Sequence, residues 1–398
     1  MRRTRNFSRS TLPKDEVKRI LDAAAQNKVR VVSFTGGEPL LLLDDLVELM
    51  RYAGTVGIDY IRTGTNGFLF SNPNHSGFKS RVKRVVEALA STPLRNLWIS
   101  IDSAVPSVHE RMRGLPGVIR GIEKALPIFH DHGIYPSANL GISRNIGGEE
   151  TNPGRPVSVE SEEARESFYL DMRQAFRKFY GFVMDMGFTM VNSCYPMSIA
   201  GSEETQGLAP VYSATSEDRL VRFNDVERTL LFRALMEAVE TYRSRVRIFS
   251  PLSSLYALSN LNGSNGFHAY PCRGGIDFFF IDSRDGNTYP CGYRGLENLG
   301  KYWDLNRGTL DLKPSCQRCD WECFRDPSEL FGPLLDACSR PIAILKRMPR
   351  DRTYLRLWLR DMAYYRACDL FDGRRPPNLF RLVRFCKGST DPLHGEWS

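Results

Sequence analysis

Six of the nine cysteines lie between Cys272 and Cys338. Thirteen residues separate Cys272 from Gly286 and four more separate Gly286 from Cys291. After a gap come Cys316-Gln-Arg-Cys319-Asp-Trp-Glu-Cys323 and then Cys338. Thiols grouped this tightly are metal ligands or disulfide partners, and the compartment decides between them. The start, Met1-Arg-Arg-Thr-Arg-Asn-Phe-Ser-Arg, is charged with no apolar stretch behind it, so it does not read as a secretory signal. No apolar run is long enough to span a bilayer. A cytoplasmic chain is expected, and metal rather than disulfide. Four cysteines including a Cys-x2-Cys suit structural zinc or an iron–sulfur cluster. Cys194, Cys368 and Cys386 stand alone and read as side chains that fill apolar space.

A second set of residues sits at the ends of short β-branched runs. Thr35-Gly36-Gly37-Glu38-Pro39 follows Val29–Phe34, and Thr65-Asn66-Gly67 follows Ile58–Gly64. Ser100 and Asp102 close Asn96–Asp102, and Ser143-Arg144-Asn145 follows Pro136–Ile142. A fifth run is Phe188–Ser193. Helical periodicity fills the gaps over Lys14–Gln26, Leu43–Tyr52, Phe78–Leu89, Gly117–His132, Ser161–Met186 and Asp225–Arg245. Alternation of this kind predicts an α/β fold with a parallel sheet, where ligands gather at the C-terminal ends of strands. Any one such turn, taken alone, is ordinary βα chemistry.

In order, Thr-Gly-Gly-Glu-Pro, Thr-Asn-Gly, Ser-Ile-Asp and then His109-Glu-Arg-Met-Arg113-Gly resemble the radical S-adenosylmethionine (radical SAM) superfamily. The resemblance runs from about Leu12 to Cys338. It implies a partial (β/α)6 TIM-like barrel and a site for S-adenosylmethionine. On it, Gly36 and Gly37 let backbone carbonyls approach the cofactor's ammonium, Glu38 adds complementary charge and Pro39 fixes the turn. Ser100 and Asp102, two apart on one strand, face the ribose hydroxyls. Arg113 matches the arginine that pairs the methionine carboxylate, and Asn66 is a further candidate contact.

The cysteine region resembles the auxiliary iron–sulfur domains called SPASM and twitch. Phe278-Phe-Phe-Ile and the Gly286 turn would form a hairpin bringing Cys272 and Cys291 together. Two ligand sets follow from the resemblance. One has Cys272, Cys291, Cys316 and Cys319 on a single cluster. The other has Cys316, Cys319, Cys323 and Cys338 on one cluster, with Cys272 and Cys291 on another. Six ligands are too few for two complete clusters, so one auxiliary cluster is expected.

The superfamily's Cys-x3-Cys-x2-Cys, which holds the cluster that cleaves the cofactor, is absent, since no cysteine precedes Cys194. The resemblance also expects a first strand before the helix near Lys14. The reading is therefore a radical SAM enzyme whose first strand and cluster loop lie outside this sequence. The alternative is a non-catalytic SAM- or metal-binding scaffold. In the intact enzyme the resemblance implies hydrogen abstraction from a peptide, protein or small-molecule substrate, with an electron donor such as a flavodoxin or ferredoxin. No residue stands out as a catalytic acid or base.

At 398 residues the chain, 42% hydrophobic and 25% charged, is of ordinary globular composition. Thirteen Lys or Arg against four Asp lie between Arg340 and Lys387, a net +9, so with +8 overall the remainder sums to about −1. Three regions are expected: a barrel over 1–246, the auxiliary domain over 247–340 and a basic tail over 341–398. In the tail, Arg352, Arg356 and Arg360 oppose an apolar stripe of Leu355, Trp358, Leu359 and Met362. That pattern reads as a docked amphipathic helix or a peripheral contact with anionic lipid. No nucleic-acid-binding module is recognisable.

Overall fold

The computed structural model describes residues 10–148, 161–196, 208–209, 211, 219–260, 270–306, 308, 310, 314–317, 319–339, 341–342 and 352–386. The chain enters through α1 (Lys14–Gln26), whose Ile20, Leu21, Ala23 and Ala24 are buried and whose first turn carries Asp15 and Glu16, as the helix dipole favours. Then follow β1 (Val31–Phe34), α2 (Leu43–Thr55), β2 (Tyr60–Thr65), α3 (Phe78–Ala90), β3 (Leu94–Ser100) and α4 (Pro106–Arg113). The series continues with α5 (Val118–Asp131), β4 (Ser137–Gly141), α6 (Glu162–Asp185), β5 (Met190–Cys194), α7 (Asp225–Tyr242), β6 (Arg247–Ile248) and α8 (Leu252–Ser259). The expected α/β barrel architecture is what forms. All six strands are parallel and lie in chain order, each paired with the next.

The sheet's two faces differ in kind. Ile61, Leu97, Ile99, Ala138, Leu140 and Val191 point outward into one apolar core with the helices. The alternate positions point inward, as a two-residue period requires. There Arg62 lies over the rings of Trp98 and Phe249, and a side chain on Gly64 would collide with Trp98. Asn192 donates to Asn139 at 2.7 Å, and Asn139 donates to the Cys194 sulfur at 3.2 Å. The lumen is thus polar while the wall behind it is oil.

Beyond α8, a hairpin of β7 (Phe280–Ile281) and β8 (Thr288–Tyr289) turns at Gly286, whose φ of +67° suits glycine. Then α9 (Glu322–Ser339) packs back against α8 and β5. The hairpin expected from the Phe-rich run and Gly286 is present. One expectation is corrected. Arg247–Ile248 completes the sheet, so the barrel does not end at 246; a two-residue strand holding a buried arginine leaves no periodic trace. The tail, by contrast, docks as the amphipathic helix its pattern predicts, though with a different buried face. Its helix, Arg352–Ala367, buries Tyr354, Leu357, Trp358, Asp361 and Tyr364, and Leu359 of the expected stripe is exposed. Asp361 turns the seam: it accepts from Arg243 at 3.1 Å and from the Ser253 amide and hydroxyl at 2.8 and 2.9 Å. Arg352 and Arg356 face solvent, while Arg360 reaches the Phe385 carbonyl at 3.4 Å.

Residues 371–374 then cross the N-terminal ends of the strands. The Tyr60 hydroxyl donates to Phe371 O at 2.8 Å and Arg247 Nη1 to Asp372 O at 3.1 Å. Gly373 exchanges backbone bonds with Arg95 and Tyr135 at 2.6 and 2.7 Å, and Arg374 caps Ala90 O and Thr92 O at 2.7 and 2.9 Å. Residues 387–398 lie outside the described residues. No helix among the described residues is long and apolar enough to cross a membrane.

Candidate functional site

The turn after β1 is built by Gly36 and Gly37, with φ of +100° and +50° and open space where a Cβ would stand. Backbone is therefore bare at this strand end. Glu38 is buried behind it, and its carboxylate ties two loops together by accepting Asn66 N–H at 2.6 Å and Leu40 N–H at 3.3 Å. Burial pushes its pKa up, while the Asn66, Thr65 and Leu40 donors pull it back. Pro39 opens a single 3-10 turn over Pro39–Leu42. Asn66 accepts Phe68 N–H on its side chain at 2.8 Å, so it serves the turn first.

Ser100 ends β3, and Asp102 lies just past it, both buried. The Asp102 carboxylate is gripped by both arms of Arg113, from Nε and, at 2.7 Å, from Nη2. Burial raises the Asp102 pKa, but the guanidinium outweighs it and holds the group below the usual carboxylate range. The structure therefore brings Ser100, Asp102 and Arg113 together but pairs the last two with each other. The resemblance gives them separate ends of the cofactor. Over this pair Gly141 leaves space: a Cβ there would sit 3.0 Å from Asp102 Oδ1.

His109 is a supporting residue that sequence reasoning did not assign. Its Nδ1 accepts the Asp102 amide at 3.0 Å, which requires the neutral ring, and burial lowers its pKa to about 4. Arg144 is also internal, bonded to Glu227 at 2.7 Å and to Arg222 O at 2.9 Å. It anchors α7 to the β4 end.

Cys194 is not a space filler. It closes β5 beside Asn139, and the Glu322 carboxyl and the Cys323 thiol face it. Glu322 accepts Tyr195 N–H at 3.2 Å, and burial pushes its pKa up to about 7. Cys323 donates to Glu322 at 3.4 Å. Its thiol is open to solvent on the lumen side while protein surrounds it elsewhere; burial and the Glu322 carboxylate push its pKa well up, and the nearby Arg62 opposes them. The only sequence trace of this cluster is the polar alternation of Asn192 and Cys194.

The cysteine pocket lies on the far side of α9. Cys272 and Cys316 are bridged by a 2.8 Å backbone bond, and Cys272, Cys291 and Cys319 share an apolar cluster with Tyr293, Trp321 and Phe324. Burial pushes the Cys291 thiol up to about 12, and the Cys272 and Cys316 thiols push the same way. Cys319 is raised well above the ordinary thiol value by burial, with Cys272 and Cys291 adding to it. As they stand, no group of three His, Cys, Asp or Glu side chains among the described residues is positioned to hold a metal ion. The surrounding backbone is nonetheless arranged for anionic sulfur. Gly274 N–H points at Cys272 at 3.4 Å, Tyr293 and Arg294 amides at Cys291, and the Trp321 amide at Cys319. Amide donors of this kind favour thiolate and tune clusters bound by it. The donor set fits an iron–sulfur cluster on Cys272, Cys291, Cys316 and Cys319. Cys323 points into the barrel and Cys338 is exposed near the end of α9, so these two are not brought to the pocket. Among the lone cysteines, Cys368 does fill apolar space, whereas Cys386 is exposed.

Residues 2–151 match the model of the Radical SAM superfamily. An AdoMet-dependent heme synthase of Methanosarcina barkeri is 22% identical over 328 residues, covering 78% of this chain and 80% of that protein. A probable GTP 3',8-cyclase of Thermococcus kodakarensis is 30% identical over 125 residues. That match spans 31% of this chain and only 36% of the relative's length. Among solved structures, SuiB of Streptococcus suis superposes with a TM-score of 0.45 at 16% identity, over 71% of this chain and 55% of that one.

Proposed function

From the premise that this chain belongs to the radical SAM superfamily, we propose that it binds S-adenosylmethionine across the C-terminal ends of β1 to β4 and serves hydrogen-abstraction chemistry. One observation carries the reading. Bare backbone at Gly36 and Gly37, the Glu38 carboxylate and the buried Ser100–Asp102–Arg113 group all converge on the same end of one parallel sheet. When bound and reductively cleaved, the cofactor supplies the hydrogen-abstracting chemistry. The chain supplies placement. Gly36 and Gly37 offer carbonyls to an ammonium, and Glu38 keeps lone pairs for it beyond its two amide bonds. Asp102 is fixed by Arg113 and by His109, so it meets a ribose diol without reorganising.

The substrate is a peptide, a protein segment or a small molecule, held in the polar lumen by Arg62, Asn139, Asn192 and Glu322. An auxiliary cluster on Cys272, Cys291, Cys316 and Cys319 stands across α9 from that lumen. A cytoplasmic setting with a flavodoxin- or ferredoxin-type electron donor completes the reading. Calorimetric titration with S-adenosylmethionine tests it: saturable binding is expected, weakened at least tenfold by Gly37→Val. No heat of binding up to millimolar cofactor would sink the assignment.

A further inference from the structure

The helix α9 has two working faces. Glu322, Cys323 and Asp326 point to the barrel, toward Cys194, Tyr195 and Ser254. About 180° around the helix, Phe324, Arg325 and Ser328 border the cysteine pocket. Gly274 lies 3.5 Å from both Phe324 and the Cys272 sulfur, measured from where its Cβ would stand, and Ser328 accepts Arg273 N–H at 2.9 Å.

Arg325 is the residue on this face whose hydrogen-bond donors the fold leaves unbonded. It is 2% exposed, and Nε, Nη1 and Nη2 all lack a hydrogen-bond partner among the described residues. The nearest carboxylate, Glu329, stands 3.5 Å away without hydrogen-bond alignment. Glu329 is engaged elsewhere, by Tyr270 N–H and, at 2.8 Å, by the Tyr354 hydroxyl. The other buried acid nearby, Asp320, forms an ion pair with Arg228 at 3.1 Å, and the charge of Arg325 reaches it more weakly. Guanidinium is costly to bury without donors satisfied, and natural folds tolerate it where an anion is met. The positive charge of Arg325 falls on Cys272, the thiol that also receives Gly274 N–H.

We propose that Arg325 is the counter-charge of the cysteine-held cluster, a positioning residue whose guanidinium stabilises the cluster's reduced, more negative state and so raises its reduction potential. The inference rests on the auxiliary-cluster reading above. A positive charge buried beside a thiolate-ligated centre favours each added electron, because the interior screens it poorly. The donors left over on the guanidinium have the bonding capacity that sulfur acceptors on such a centre would use.

The test uses the full chain, reconstituted anaerobically with iron and sulfide, read by iron content and by a potentiometric titration followed by electron paramagnetic resonance. Arg325→Met is expected to keep its iron and shift the midpoint to lower potential, and Arg325→Lys to restore most of the shift. Arg325→Gln removes the charge while leaving an amide donor beside Glu329, so it gives the same readout if the methionine variant fails to fold. An unchanged midpoint in a neutral Arg325 variant at full iron content overturns the proposal and leaves Arg325 a packing residue. A wild-type chain that takes up zinc but no iron overturns the cluster reading itself, which is a separate result.

Discussion

The barrel and the cysteine pocket handle buried charge in opposite ways. In the barrel, charges are spent on one another: Asp102 on Arg113, Arg144 on Glu227, Arg243 on Asp361. Around the cysteine pocket, Arg273 pairs with Asp336 at 3.0 Å, but Arg325 has no hydrogen bond among the described residues and only a 3.5 Å ion pair with Glu329. Paired charges fix geometry at the sheet ends, which is what a site built to hold a preformed shape needs. A guanidinium with its donors unbonded marks a region whose electrostatics answer to what the thiols carry. The difference teaches where each half gets its order, from internal ion pairs in one and from amide–sulfur contacts in the other.

The sharpest way to break this comparison is to remove a thiol. Cys291→Ser or Cys319→Ser should abolish iron loading outright and lower the melting temperature of the reconstituted protein, because metal binding is linked to folding. Retained iron in both variants would mean the four-cysteine grouping is wrong. Next in size is the barrel pair. Arg113→Met leaves Asp102 buried and unpaired and should cost about 3–5 kcal/mol in urea unfolding. Adding Asp102→Asn should recover a large part of that, and strict additivity would deny the coupling.

Two buried groups on the barrel side, His109 at the strand end and Glu322 on the lumen face of α9, should respond to pH with opposite sign. His109 takes a proton near 6.5 when unfolded but only near 4 when folded, so stability falls as pH drops through that window. Glu322 loses its proton near 4.5 when unfolded but near 7 when folded, so stability falls as pH rises from 4.5 and levels off above 7. Both groups are buried, and at about 1.4 kcal/mol per pH unit each limb is worth about 3 kcal/mol. His109→Gln should flatten the first limb and Glu322→Gln the second, in unfolding curves taken across pH 4–8. If one substitution flattens both, the two groups do not titrate independently. The smallest effect belongs to Cys338→Ser, which should change iron content not at all and stability by less than about 0.5 kcal/mol.

Much of the barrel is readable in the sequence because it repeats one device, a β-branched run ended by glycine or a small polar residue. Gly36, Gly37 and Glu38 announce themselves that way, and Ser100 and Asp102 by their two-residue spacing. Their partners do not. Arg113 reaches Asp102 only because α4 folds back over the strand end, and the resemblance assigned that arginine elsewhere. Cys323 misled for a physical reason: it follows Cys319 by four positions, but α9 starts at Glu322, and its first turn swings the thiol to the lumen. Sequence proximity holds ligands together along a loop, not across a helix. Arg247 was invisible as a strand residue because its side chain bonds Thr189 and Asp372 O instead of joining an apolar period.

The crossing of the strand bases by residues 371–374 bears on how the chain is made. Tyr60 meets its partner 311 positions later, and Arg374 reaches back 284 to Ala90. A ribosome would therefore release most of the barrel before the segment that seals its floor exists. Contacts of such sequence separation form late and slowly. During synthesis the polar lumen stands open at its base, accessible from below to solvent, iron or a chaperone until the last helix docks. The cysteine pocket is synthesised before the segment that closes the floor of the barrel.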